Sequence, residues 1–110
     1  MIEKEIELYT TKNGECPFIK WIQELSSDFK IRINKRINRM KDGNYGNWKK
    51  LQNSHLSELK LDFGKGYRIY FKEIDTIIIL ILAGSDKSDQ KSVIKQAEKY
   101  LEDYLNRSKK

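Results

Sequence analysis

The stretch that decides the fold runs from Ser57 to Ala83, SELKLDFGKGYRIYFKEIDTIIILILA. Leu59, Leu61 and Phe63 alternate with Glu58, Lys60 and Asp62. Past Gly64-Lys65-Gly66, Tyr67, Ile69 and Phe71 alternate with Arg68, Tyr70 and Lys72. Period-two alternation marks strands with one buried face, and the glycines suit a hairpin that needs a left-handed residue. Parity predicts a three-residue loop. It pairs Phe63 with Tyr67, Leu61 with Ile69 and Leu59 with Phe71, which keeps the large apolar residues together. The same register sets Asp62 opposite Arg68 and Lys60 opposite Tyr70 on the other face. Ile74-Asp75-Thr76 makes the next turn. Ile77 to Ala83 is apolar on both faces, as in a strand inside a sheet.

That inner strand needs a second neighbour. The N-terminal segment 2–10 supplies one, because Ile2, Ile6 and Leu8 stand against Glu3, Glu5 and Glu7. Between these strand regions lies a predicted helical hairpin over residues 17–42. Pro17 opens its first helix, where a missing N–H costs nothing. Phe18, Trp21, Ile22 and Leu25 follow at helical spacing. Ser26, Ser27 and Asp28 offer caps, and Phe29, Ile33, Ile37 and Met40 form the stripe of the second helix. Its outer face carries Lys30, Arg32, Lys35, Arg36 and Arg39, and Gly43 ends it. Residues 43–55 read as a loop. Residues 84–89 are polar, and Ser88 is placed to cap a last helix containing Val93, Ile94, Ala97, Tyr100, Leu101, Tyr104 and Leu105. The expected architecture is α+β: N-terminal strand, helical hairpin, three-stranded antiparallel meander and C-terminal helix, on one mainly antiparallel sheet. Residues 1–110 form one domain, with 105–110 a frayed tail.

The chain has 110 residues and one proline, 38% hydrophobic and 35% charged residues, and a net charge of +6. This suits one folded domain with a modest core. The excess of cations points to a polyanion or an acidic partner. Cys16 is the only cysteine. It forms no internal disulfide, which fits a reducing, cytoplasmic compartment. No apolar run is long enough to span a membrane. His55 stands alone and the acids lack ligand spacing, so no metal or other cofactor is expected.

Four strings, taken in order, resemble the RelE/ParE toxin superfamily: FIKWIQEL from Phe18, RINKRINRMKDGNYGNWKKL from Arg32, SELKLDFGKGYRIYF from Ser57 and LAGSDKSDQKSVIKQA from Leu82. The branch they look most like is that of addiction-module killer proteins, related to HigB and to a phage protein family. The resemblance covers roughly residues 15–100, and GYRIYF followed by GSDKSDQ is its most specific part. It implies a toxin neutralised by a cognate antitoxin, commonly a small helix-turn-helix protein. RelE-like members cut mRNA on the ribosome without metal, whereas ParE-like members inhibit DNA gyrase. Fold alone does not choose between these activities. A third reading is a basic binding module that acts only through its antitoxin.

Metal-free RNA cleavage asks cations to do specific work. The 2′-OH attacks the adjacent phosphate; its proton must be accepted, phosphoryl charge stabilised and the leaving 5′ oxygen protonated. Arg68 matches the phosphate-contacting arginine of RelE, and Lys60 a lysine proposed there as general base. Each has a plainer reading, Arg68 as a cross-strand partner of Asp62 and Lys60 as a solvated strand residue. Lys87 is the third expected catalytic residue, since helix N-termini attract phosphate. Lys49, Tyr70, Gln90 and Lys91 are expected to contact RNA. Glu58 is an alternative proton acceptor, or simply a salt-bridge partner. Trp48 either stacks a base or anchors its loop to the core. The sequence departs from RelE where SDKSDQKS carries lysines in place of an arginine and a tyrosine; Tyr100 and Tyr104 fall later, at core spacing.

Overall fold

The computed structural model describes residues 3–107. It contains β1 (Glu5–Leu8), α1 (Pro17–Gln23), α2 (Ser27–Lys41), β2 (Trp48–Lys50), β3 (Ser57–Lys60), β4 (Arg68–Ile74), β5 (Ile78–Ser85) and α3 (Gln90–Arg107). The strands form one sheet in the order β1-β5-β4-β3-β2. β1 runs parallel to β5, and the other pairs are antiparallel. β5 therefore lies inside, between the N-terminal strand and β4, as its two-sided apolarity predicts. Ile2 and residues 108–110, to which strand and tail expectations extended, lie outside the described residues.

Two cores sandwich the sheet. On one face, Leu59, Leu61, Ile69, Phe71, Ile79 and Ile81 pack against Phe18, Ile22, Ile33, Ile37 and Met40 of α1 and α2. Each fully buried aliphatic side chain contributes about 1.5–3 kcal/mol there. On the other face, Tyr70, Leu80, Leu82 and Ala83 meet Ala97 and Leu101 of α3. The Ser26 hydroxyl accepts from the Phe29 N–H and starts α2. Gly43, at φ +85°, follows its end.

Four expectations need correction. The β3–β4 register is displaced by two residues: Leu59 pairs with Ile69, Lys60 with Arg68 and Glu58 with Tyr70. The loop is longer because Phe63 leaves the ladder and stacks on Phe29, their rings 5.5 Å apart. A shift of two preserves the faces, so the parity argument survives while the polar partners change. Second, the 43–55 segment is not all loop, since Trp48–Lys50 adds an edge strand to β3. Third, β5 runs on through Gly84 and Ser85, and α3 starts after Asp89, not Ser88. Fourth, residues 105–107 are helical. Arg107 holds that end, its Nη2 2.9 Å from the Asp103 carboxylate and donating to the Thr10 carbonyl at 2.6 Å.

The β4–β5 ladder slips by one residue between Tyr70 and Phe71: Tyr70 faces Ala83, but Phe71 faces Ile81. This bulge interrupts the alternation of β5. Leu80, Leu82 and Ala83 all serve the α3 core, and Gly84 turns to the α1 side. A Cβ on Gly84 would lie 2.3 Å from the Trp21 ring, so only glycine lets that ring lie on the strand. Ser85 is thereby turned to the α3 side, opposite Arg68.

Candidate functional site

On the α3 side, two rows of paired residues cross the sheet. One runs Lys49, Glu58, Tyr70, Ala83 and the other Lys60, Arg68, Ser85. α3 covers the Tyr70 end of this surface and leaves the β2–β3 end open. The opening is a cleft of about 230 Å³ lined by Asn47, Trp48, Lys49, Glu58, Lys60, Arg68 and Gln90.

Glu58 and Arg68 form the floor. Arg68 Nε lies 3.2 Å from Glu58 Oε1, and the side chains are 11% and 5% exposed respectively. The Nε–H has no aligned hydrogen-bond acceptor, so this is an ion pair of near neighbours. Arg68 Nη1 donates to the Gly66 carbonyl at 2.8 Å. Gly66 adopts φ +72°, and that left-handed turn directs its carbonyl to the guanidinium. Lys49 Nζ stands 4.0 Å from Glu58 Oε2 and is largely exposed. Lys60 is exposed at the cleft edge, with its backbone N–H bound to the Asn47 carbonyl.

The 84–89 segment closes the side next to α3. The Lys87 N–H donates to the Lys65 carbonyl at 3.1 Å. A Cβ on Gly66 would lie 3.3 Å from Lys87 Cβ and 3.5 Å from Arg68 Nη1, so the root of Lys87 and the guanidinium both border Gly66. The acids of this segment are engaged in its turn. Asp86 accepts from the Ser88 N–H and hydroxyl, which hold its carboxyl below the ordinary range, and Asp89 accepts from the Asp86 N–H.

Of the residues expected from sequence, the cleft gathers Lys60, Arg68, Lys49 and Gln90, while Lys87 borders Gly66 beside Arg68's turn and does not line the cleft. Lys91 is exposed on the first turn of α3 but does not line the cleft. Tyr70 corrects an expectation: it is fully buried under α3 and hydrogen-bonded to Ser85, so no base can stack on it. The expected Asp62–Arg68 pairing is replaced by Glu58–Arg68 because of the register shift. Trp48 pairs with Leu59 and packs on Tyr45 and Phe71, which anchors its strand, and its remaining surface, 40% exposed, lines the cleft edge. Asn47 and Ser85 were missed; Asn47 had no signal beyond its polar loop. His55 lies elsewhere, in grooves lined by Lys72 and Leu101. Among the described residues, no three His, Cys, Asp or Glu side chains gather as a metal site, and no helix is long and apolar enough to cross a membrane.

Comparison with known proteins places this geometry in context. No family model matches the chain. An uncharacterised protein of Haemophilus influenzae is 40% identical over 82 residues, which is 74% of this chain and 82% of that protein. Among solved structures, the free Escherichia coli toxin RelE, in an arginine-substituted form, superposes with a TM-score of 0.59 at 14% identity; the match covers 87% of this chain and 94% of RelE. The intact E. coli RelBE toxin–antitoxin complex gives 0.54 at 15% identity, covering 77% of this chain and 98% of the matched chain. The fold is therefore that of RelE.

Proposed function

Because this chain belongs to one family with the Haemophilus influenzae protein and has the RelE fold, we propose that it is the toxin of a type II toxin–antitoxin pair and a metal-independent endoribonuclease acting on mRNA, engaged at the ribosome. The observation that carries this reading is the pairing of Lys60 with Arg68 across β3 and β4 in an open cleft, with Lys49 beside them. Three cations around one buried carboxylate suit a phosphodiester and the proton transfers its cleavage needs.

In this reading the RNA phosphate enters over Arg68, whose planar fork contacts two phosphoryl oxygens. Lys60 and Lys49 stabilise the added charge of the pentacoordinate state. The 2′ oxygen forms a bond to phosphorus as its proton passes to a base. Glu58 is better suited than Lys60 to accept it, because a carboxylate accepts protons without the pKa depression a lysine requires. The P–O5′ bond breaks, and the 5′ oxygen takes a proton from Lys87 or from Lys60. The products are a 2′,3′-cyclic phosphate and a 5′-hydroxyl. Gln90 is placed to hydrogen-bond the flanking nucleotide, and Lys91 to meet the backbone beyond the cleft.

The RelBE neighbour supports a cognate antitoxin as partner, which we take to be a small helix-turn-helix protein of the addiction-module branch. The test is induction in cells followed by mapping of transcript 5′ ends. Discrete new ends that disappear in Lys60→Ala are expected. Growth arrest with intact transcripts and inhibited gyrase supercoiling would overturn the proposal.

A further inference from the structure

Beneath the cleft lies a polar pair that phosphodiester contact does not use. Tyr70 Oη and Ser85 Oγ are 2.9 Å apart, and both residues are fully buried. Burying a hydroxyl costs free energy that one hydrogen bond only offsets, and a phenylalanine–alanine pair would fill much the same space without that cost. The placement of the pair is specific. Tyr70 is the cross-strand neighbour of Glu58, and Ser85 that of Arg68. The Glu58–Arg68 ion pair runs diagonally from β3 to β4, and the Tyr70–Ser85 bond runs along the next, parallel diagonal from β4 to β5. The β5 bulge makes this possible, because uninterrupted alternation from Leu80 and Leu82 would turn Gly84, not Ser85, to this face.

Two hydroxyls sharing one hydrogen bond retain a second proton. Burial holds the Tyr70 phenol above its ordinary pKa, and the charge of Glu58 also acts to raise it. The phenol therefore stays protonated through the neutral range, a fixed dipole beside the ion pair. We infer that Tyr70 and Ser85 are positioning residues: their buried hydrogen bond fixes the Arg68 guanidinium and the Glu58 carboxylate in the geometry that meets the substrate phosphate. The inference deepens the ribonuclease proposal and depends on it only for its catalytic consequence. Displacement of a reacting group by a fraction of an ångström lowers turnover, on the order of 10-fold to 100-fold, with little effect on binding.

The experiment compares wild type with Tyr70→Phe and Ser85→Ala by two readouts. The first is the NMR resonance of the Arg68 Nε–H and its rate of exchange with water. The second is the kcat and KM for cleavage of ribosome-bound mRNA. Both folded variants are expected to shift that resonance, speed its exchange and lower kcat at constant KM. If Tyr70→Phe does not fold, Ser85→Ala, which deletes only one hydroxyl, carries the test. An unmoved Arg68 resonance, or loss of fold in both variants, overturns the inference. Movement of the resonance in a protein that does not cleave RNA retains the positioning role and removes the ribonuclease proposal instead.

Discussion

Arg68 and Glu58 form an ion pair inside the protein: Nε stands 3.2 Å from Oε1 where little solvent reaches either side chain. Removing one partner of such a pair strands a buried charge, which costs about 3 kcal/mol. Arg68→Ala is thus expected to lose both activity and stability, by that amount in urea denaturation. Glu58→Gln in the same chain should restore most of the stability and none of the cleavage. Equal stability of wild type and Arg68→Ala would show that the pair does not act as described.

Lys60 separates chemistry from folding more cleanly. It is exposed and makes no ion pair among the described residues, so Lys60→Ala is expected to change stability by less than about 0.5 kcal/mol. Cleavage should fall by about 10² to 10³, the usual effect of deleting one electrostatic stabiliser. Parallel denaturation and single-turnover assays check both halves.

Gly84 is the contact on which α1 seats. A methyl group there meets the Trp21 ring at 2.3 Å, and that ring is held by Phe18 and Tyr67. Gly84→Ala is expected to cost about 1–3 kcal/mol through overpacking. A fall in Tm and altered tryptophan fluorescence are the readouts.

Alkaline stability follows from two tyrosines. Burial, with the Asp103 hydrogen bond, pushes Tyr9 up to about 12; burial, with the Glu7 hydrogen bond, does the same to Tyr104. A raised phenol contributes stability below the unfolded value near 10 and loses it as pH rises through the folded value. The protein should lose stability between about pH 10 and 12, and Tyr9→Phe should lose less. At the acid end the sign reverses. The Tyr9 hydrogen bond holds the Asp103 carboxyl low, so its contribution disappears as pH falls through that depressed value. Denaturation midpoints across pH test both limbs.

Thr76 occupies a left-handed conformation at φ 62°, next to Asp75 at φ 51° in the β4–β5 turn. A β-branched residue is strained there. Thr76→Gly is expected to raise stability by up to about 1 kcal/mol, less whatever entropy the glycine forfeits. An unchanged or lower Tm would deny that strain.

Element types were legible because each rests on local periodicity: Leu59 to Phe71 for the meander, Phe29 to Met40 for α2, and Ile77 to Ala83 for the inner strand. Register was less legible. Parity distinguishes odd shifts from even ones, and the stacking of Phe63 on Phe29, which drew two residues into the loop, is a tertiary contact. Lys60 and Arg68 were accessible as polar positions on one face of two adjacent strands. Burial of Tyr70 was not, because strand alternation names a face without saying which part a distant helix will cover. Ser85 was hidden for a different reason: a bulge reverses facing without changing composition.

The most direct measurement is cleavage of ribosome-bound mRNA by the purified protein, stripped of metal beforehand, with chemical identification of the new ends. The proposal predicts 2′,3′-cyclic phosphate and 5′-hydroxyl ends from wild type and almost none from Lys60→Ala. Intact mRNA with a protein that still arrests growth, or ends carrying a 5′-phosphate, would contradict it.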